Sequence, residues 1–298
     1  MSVRIDPNLA PTLLDAIERA RQQQSQAVEQ LASGRSVNRP ADNPTAAAAL
    51  VLNHVQAAQN DQFQRNIAHF QGLFQVADAA LNSAVQLMTR ALQLGTEAAN
   101  GTLTDANRQA IAAELEGIRQ QMIGIGNTVY QGEYIFAGTA VSTAPFVADA
   151  AAPDGVLYQG NAAQNTIVLL NGETMATNLP GNQIFLDPAG SVFGALQQMI
   201  TALQTGSDPG TALQGLQAAF ARLNQQRVFY GNALNQLQSA NNFLQQENVQ
   251  LSTQENDLVG IDPAQAASNL VQAETAANAV LSAAGRILNR PTLFDFLS

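Results

Sequence analysis

Apolar residues alternate at spacings of three and four along three long stretches of this 298-residue chain. They run from Phe63 to Met88, from Ile111 to Val129 and from Leu213 to Leu258. An alternation that lasts several heptads keeps one face of a helix against a partner helix, as in a coiled coil. A helix over 210–258 would be roughly 70 Å long at about 1.5 Å per residue. The pattern therefore predicts a mainly α-helical rod.

Four polar residues interrupt the third seam: Arg227, Asn241, Asn248 and Glu255. If these side chains are buried, they lower stability and specify the register or the partner of the helix. If the seam rotates away from the core at these positions, they face water instead. The sequence leaves both alternatives open.

The helical period disappears between about residues 138 and 188. Short runs rich in β-branched and aromatic residues replace it, separated by Gly, Asn and Pro: GVLYQGN, NTIVLLNGETMATN and GNQIFL. LNGET is typical of a tight hairpin. We therefore predict a small antiparallel β insertion domain in the middle of a long antiparallel coiled-coil rod, which both chain ends build.

This architecture divides the chain into five predicted segments. They are an N-terminal helix and connecting loop over 1–43, the first part of a helical rod over 44–138, a β-rich outer domain over 139–188, the second part of the rod over 189–261, and a C-terminal helix and tail over 262–298. We expect the first segment to pair with the last.

Both chain ends have the apolar face of an amphipathic helix. Between Ala264 and Asn289 only Glu274 and Arg286 are charged, although an exposed helix face usually carries more charge. We predict that these helices pack against other helices and form an assembly interface. Its proposed residues are Leu9, Leu13, Ile17, Leu31, Leu270, Val280, Leu281 and Leu288. The alternative is an ordinary helical hairpin within one domain.

Composition excludes several classes of protein. There is no cysteine, and therefore no disulfide, no thiolate chemistry and no Cys-based metal site. The net charge is −10, and the thirteen basic residues, all Arg, form no cluster of the kind that nucleic acid requires. The N-terminus lacks an apolar core of signal-peptide length, and the longest aliphatic run is too short to span a bilayer. We expect a chain without a membrane segment or a cleaved signal peptide.

Residues that could carry chemistry are sparse. The two histidines, His54 and His69, lie on one predicted helix, and no carboxylate or thiol spacing completes a metal site. The glycines of MIGIGNTVYQG end a helix, whereas a dinucleotide site would need them to open one after a strand. The acidic stretch ENDLVGID lacks the ligand spacing of a calcium loop. We predict no catalytic residue, no metal site, no cofactor and no enzymatic activity.

The stretch SVNRPADNPTAAAA, residues 36–49, interrupts the helical pattern. Gly34 can close the first helix in a left-handed conformation, and Pro40 disfavours helix at the residue before it. Asn43 is a strong N-cap, and Pro44 suits the first position of the next helix. We predict a structural junction loop formed by Gly34, Arg35, Asn38, Pro40, Asp42, Asn43 and Pro44.

Several segments, in order along the whole chain, resemble the flagellin superfamily, and most closely its hook-associated members. They are LASGRSVNRPADNPTAA, ANGTLTDANRQAIAAELEGIRQQM, GEYIFAGT followed by APF, the β repeat YQGN…TIVLLNGE…NLPGNQIF, and the tail NRPTLFDFL. One departure is Asn43, where the family often has a second acidic residue. An Asn N-cap serves equally well there.

The resemblance implies a structural adaptor of the bacterial flagellum that joins the hook to the flagellin filament and catalyses nothing. The implied partners are other copies of the chain, in a ring at the distal end of the hook, the first hook-associated protein, and flagellin, with neither nucleic acid nor membrane. Terminal helices would pair in an inner tube, with the rod around them and the β domain outside. An export chaperone would bind the C-terminal region, and type III export would place the chain outside the cell.

Two other functions fit parts of the sequence. A small flagellin would polymerise into the filament itself, although the tail PTLFDFL and the modest β insertion favour the junction. A cytoplasmic coiled-coil scaffold or signalling bundle would also carry heptads. The β insertion and the low surface charge disfavour that class.

Overall fold

The computed structural model describes residues 9–100, 103–168, 172 and 174–288. Within these ranges the chain forms mainly α-helices. They are α1 (Leu9–Ser33), α2 (Pro44–Ala98), α3 (Asp105–Gly126), α4 (Gly181–Phe185), α5 (Val192–Thr205), α6 (Gly210–Val259) and α7 (Pro263–Leu288). α2 has 55 residues and α6 has 50, which confirms the long helices that the alternation of apolar residues predicts.

The chain divides into two compact units. One combines residues 1–60 with 245–298, and the other comprises residues 61–244. α2 and α6 each contribute residues to both units. The division into five segments stays a prediction.

In the unit 61–244, α2 and α6 each bury a large side chain at intervals of seven residues. On α2 these residues are Ile67, Phe74, Leu81 and Met88, and on α6 they are Leu223, Tyr230, Leu237 and Leu244. The rings of Phe74 and Tyr230 lie 5.8 Å apart, edge to face. Burial also raises the pKa of the Tyr230 hydroxyl, so this group stays protonated at neutral pH.

Arg227, a polar residue of the α6 seam, belongs to the same unit. Its Nε donates to Asp78 Oδ1 at 2.7 Å, and its Nη2 donates to Asp78 Oδ2 at 3.1 Å. Both side chains remain about one third exposed. The guanidinium therefore lies at the edge of the seam, where it meets its charge partner without complete desolvation.

α3 and α5 complete the helical layer of this unit and pack against each other. Thr104 caps α3 by accepting the N–H of Asn107, and Ser191 caps α5 by accepting the N–H of Gly194. Ile111, Leu115, Ile118 and Met122 are buried on α3, as the alternation predicts. The alternation is wrong at its end, because α3 stops at Gly126 and Val129 lies exposed in a short strand.

Six short strands lie in the described part of the chain. They are β1 (Val129–Tyr130), β2 (Glu133–Tyr134), β3 (Phe146–Ala148), β4 (Val156–Tyr158), β5 (Thr166–Val168) and β6 (Thr174–Ala176), and they pair as three antiparallel two-stranded sheets. Ile167 lies opposite Met175, which confirms the hairpin predicted around LNGET. Most of its turn residues lie outside the described residues.

The β segments share a core with α3 and α5. Four aromatic rings, those of Phe136, Phe146, Phe185 and Phe193, lie with neighbouring centroids between 5.3 and 5.9 Å apart. Asn127, at the end of α3, fixes β3 by exchanging two hydrogen bonds with the backbone of Phe146, at 2.7 and 2.9 Å. The β insertion is therefore packed directly onto the helices.

The expectation of a strand in GNQIFL is wrong, because these residues form the short helix α4. Pro180 precedes the helix in an extended conformation, and the N–H of Leu186 closes its turn on Asn182 O. Ile184 and Phe185 are both completely buried. A strand would point these two neighbours to opposite faces, whereas a helix turns both toward one core.

Candidate assembly surface

α1 and α7 pack against each other through alanines. Among the residues of this pair whose burial is described, the buried ones are Ala20, Ala27, Ala266, Ala277 and Ala284. Small side chains let two helices approach closely, but they remove little apolar area from water. Several larger apolar side chains of these two helices remain exposed, among them Leu14, Val28 and Val271.

The predicted interface residues occupy three kinds of position. Ile17, Leu270 and Val280 are half-buried, and Leu31 and Leu281 are exposed. The side chains of the remaining three, Leu9, Leu13 and Leu288, lie outside the described residues. Their role at an interface stays a prediction.

A polar groove runs along the α1–α7 pair. Its volume is about 370 Å³, and its walls carry the amides of Gln23, Gln26, Gln30, Asn269 and Gln272. Each amide can donate and accept hydrogen bonds, so this uncharged surface can pair with another amide-rich surface without ion pairs.

The junction loop begins and ends with the predicted caps. Gly34 has a φ of +68°, and its N–H donates to Gln30 O, which closes α1. Asn43 Oδ1 accepts the N–H of Ala46 at 3.1 Å, which opens α2 at Pro44. Between the caps, Asp42 Oδ2 accepts the backbone N–H groups of Asn38 and Arg39.

The link between α6 and α7 lies beside this loop. Arg35 and Gly260 form an isolated antiparallel bridge, and the N–H of Ser36 donates to Val259 O at 2.6 Å. A Cβ atom on Gly260 would clash with the backbone oxygen of Asn256, so the position requires glycine. Asp262 then caps α7 by accepting the N–H of Ala264 at 2.8 Å.

Side-chain contacts with acidic residues reinforce the two links. Arg35 Nη2 lies 2.5 Å from Glu255 Oε1, and His54 Nε2 lies 3.5 Å from Glu255 Oε2. Arg39 pairs with Glu29 of α1 at 2.9 Å. Glu255, a polar residue of the α6 seam, therefore holds the loop to α6.

In the first part of α2, residues 44–60, the contact with α6 is polar. Asn60 is completely buried, and its Nδ2 donates to Asn248 Oδ1 at 3.0 Å. Asn53 is also buried, and its Nδ2 donates to Leu251 O at 2.8 Å. Asn248 is half-buried, so part of the α6 seam does enter the contact. Asn241 is half-buried as well.

Sequence reasoning missed Asn53 and Asn60. A signal was present, because residues 46, 53 and 60 extend the heptad of Ile67 and Phe74 back toward the start of α2. An amide at such a position satisfies its partner only in one register, which is how buried Asn residues select one alignment of helices.

The described residues contain no group of three His, Cys, Asp or Glu that could hold a metal ion. None of the described helices is both long enough and apolar enough to cross a membrane. The features of the unit that combines residues 1–60 and 245–298 are packed helices, capped links and exposed apolar residues.

Two family models match the chain. The model of the bacterial flagellin N-terminal helical region covers residues 8–141, and that of the C-terminal helical region covers residues 213–293. Together they span well over half of the sequence. The chain therefore belongs to the flagellin superfamily.

Individual relatives narrow this assignment to the hook-associated protein 3 branch of that superfamily. The chain is 27% identical to flagellar hook-associated protein 3 of Escherichia coli over 274 residues, which cover 84% of this chain and 86% of the relative. It is 33% identical to the protein of the same name from Salmonella typhimurium, over 59% of each chain.

Solved structures share the fold. The FlgL protein of Bacillus cereus is 26% identical with a TM-score of 0.59, over 69% of this chain and 99% of that one. The flagellar junction protein FlgL of Legionella pneumophila has a TM-score of 0.61 at 15% identity, over 71% of this chain and 100% of that one.

Proposed function

We propose that this protein is a structural adaptor that joins the flagellar hook, through the first hook-associated protein, to the flagellin filament. The similarity to hook-associated protein 3 of Escherichia coli, which extends over 84% of the chain, supports this role. In this adaptor role the protein acts through the packing of its helices and has no catalytic activity.

The observation that carries the proposal is the alanine contact between α1 and α7. A pair of helices that buries mainly alanines and leaves Leu14, Val28 and Val271 exposed has much apolar surface left to bury. α7 carries only two charged residues, so further helices can cover it with little desolvation of charge. Neighbouring subunits in a ring supply such helices.

The same role gives the junction loop a purpose. Gly34, Asn43 and Pro44 set the directions in which α1 ends and α2 begins, and the loop marks the boundary between an inner layer of terminal helices and an outer layer of rod. Replacing Pro40 and Pro44 together by Ala is expected to loosen this boundary and to weaken hook–filament joints. Unchanged joints would refute the assignment of the loop.

The proposed partners are other copies of the chain in a ring, the first hook-associated protein, flagellin, and an export chaperone that binds the C-terminal region. The flagellar export apparatus delivers the chain to the outside of the cell without a cleaved signal peptide. Neither nucleic acid nor a membrane takes part.

Deletion of the gene tests the role. We expect hooks without filaments and free flagellin in the medium, and a plasmid-borne copy is expected to restore attached filaments. Filaments that stay attached in the deletion strain would contradict the proposal. Long filaments grown from the purified protein alone would instead identify a small flagellin.

A further inference from the structure

The first part of α2, within the unit that combines residues 1–60 and 245–298, has its polarity reversed. Its buried side includes the amides of Asn53 and Asn60, whereas large apolar residues point to solvent. Val51, Leu52 and Val55 are 62%, 72% and 50% exposed. A surface helix ordinarily has the opposite arrangement.

These residues form one continuous surface. At about 100° per residue, Val51 and Val55 lie on the side of the helix opposite Asn53, and Leu52 lies next to them. The exposed residues Ala48 and Ala58 extend the surface by one turn in each direction. We call this set of five residues the α2 stripe.

The size of the α2 stripe limits what can cover it. Three large side chains and two alanines expose a few hundred Å² at most, whereas a stable complex buries about 800 Å² on each partner. The stripe is therefore too small to hold two molecules together by itself. It can be covered in an assembly, where other contacts already hold neighbouring molecules in place.

The distribution of charge indicates which surface can cover the α2 stripe. Between residues 44 and 60 His54 is the only residue that can be charged, so the α2 stripe has no counter-ion to offer. The exposed side of α1 carries Glu18 and the ion pair of Asp15 with Arg19, and these charges would lose their hydration against the stripe. α7 exposes Val271 near uncharged residues such as Ala267 and Thr275, and its whole length carries only Glu274 and Arg286 as charged residues, so it matches the stripe better than α1 does.

We propose that the α2 stripe is covered by α7 of a second copy of this chain when copies assemble. The proposal rests on the ring of copies in the proposed function and adds the contact that neighbouring copies make. Because the contact is apolar and uncharged, it persists at high salt.

A photocrosslinking amino acid at position 52 tests the contact in isolated hook–filament complexes. The expected product is a covalent dimer of this chain in which the adduct maps to residues 263–288. The same amino acid at Asp61, which is exposed but lies outside the α2 stripe, is the matched control and is expected to give no such adduct. An adduct with a different protein, an adduct elsewhere in the second copy, or no adduct overturns the proposal.

A second variant covers the case in which the bulky amino acid blocks assembly. Leu52→Ser with Val55→Ser is expected to leave the melting temperature of the monomer unchanged and to lower the fraction of hooks with filaments several-fold. Full attachment by this variant also overturns the proposal. The deletion strain separates the two ideas, because filaments that stay attached without the gene refute the adaptor role itself, whatever position 52 contacts.

Discussion

Asn60 shows what one buried amide does in a helical seam. Its Nδ2 donates to Asn248 Oδ1 and its Oδ1 accepts from Gln56 Nε2, and the aligned apolar positions beyond it start at Ile67. Displacement of α2 against α6 by one residue would break the bond to Asn248 and bury the amides without partners. The pair therefore favours one register at some cost in stability, relative to two apolar residues.

We predict that Asn60→Leu lowers the free energy of unfolding by about 1–3 kcal/mol, because the half-buried Asn248 loses its partner. Asn248→Leu is expected to have a similar effect. The double variant is expected to be more stable than the sum of the single effects implies, by about 0.5–3 kcal/mol. Urea unfolding of all four proteins measures the coupling, and strictly additive effects would exclude a role for the pair.

Asp187 gives a pH-dependent contribution in the unit 61–244. The N–H of Ala189 and the guanidinium of Arg222, 2.5 Å away, hold the pKa of this carboxyl below its usual 3.8. Since the pKa is lower in the folded state, the charged form stabilises the fold at every pH above about 3.8. That contribution is lost as the pH falls through the folded-state value.

Asp187→Asn is therefore expected to lower the melting temperature at pH 7. The difference from the unchanged protein is expected to shrink as the pH falls below about 3.8. Asp61→Asn, at an exposed position, is the control. A difference that stays constant down to pH 2 would show that the carboxylate is not its source.

Individual elements differ in how far the sequence predicts them. α6 was expected over about 210–258 and occupies Gly210–Val259, because a heptad repeated seven times outweighs local irregularities. The residues of α4 resemble a strand in the sequence, because the six residues of GNQIFL are too few to separate a period of 2 from one of 3.6. The caps of the junction loop were predictable, since each depends on neighbouring residues.

Contacts between distant segments were not predictable from one sequence. Arg35 and Gly260 meet although 225 positions separate them, and each looks like an ordinary loop residue. The position of Asn248 in the sequence indicates a polar seam on α6, but it does not indicate which residues of α2 lie opposite. Periodicity indicates which face of a helix is buried and leaves open which residue lies opposite.

The α1–α7 pair depends on close approach. Ala277→Leu adds a branched side chain at a buried alanine and is expected to separate the two helices, since overpacking forces the backbones apart. Limited proteolysis should then cut α1 and α7 faster, while residues 61–244 remain protected. Ala279→Leu, at an exposed position of α7, is the matched control. Equal cleavage of both variants would mean that the buried alanines do not hold the pair.

At the scale of the whole molecule, the two units differ in what their cores contain. Among the described residues, the largest completely buried side chains all lie within 61–244: Phe74, Leu81, Met88, Leu94, Leu115, Met122, Phe136, Phe146, Ile184, Phe185, Phe193 and Tyr230. The other unit buries alanines, two asparagines and Val259. Apolar area buried per residue sets local stability, so the two units have unequal stabilities.

Hydrogen exchange followed by mass spectrometry should reveal this difference in the monomer. We expect slow exchange in the helices of 61–244 and markedly faster exchange in α1, α7 and the first turns of α2. Phe193→Ala is expected to destabilise its own unit by about 3–5 kcal/mol and to leave exchange in α1 and α7 unchanged. Uniform protection along the chain would contradict the distinction.

The bridge between Arg35 and Gly260 has a mechanical consequence. Two links connect the α1–α7 pair to α2 and α6, and at this bridge they lie side by side, with the N–H of Ser36 donating to Val259 O. Tension that pulls the terminal helices away from α2 and α6 is therefore divided between two parallel tethers. If a single link joined the terminal helices to α2 and α6, that link would bear the whole load. Because the two links are bonded to each other, the load is shared between them.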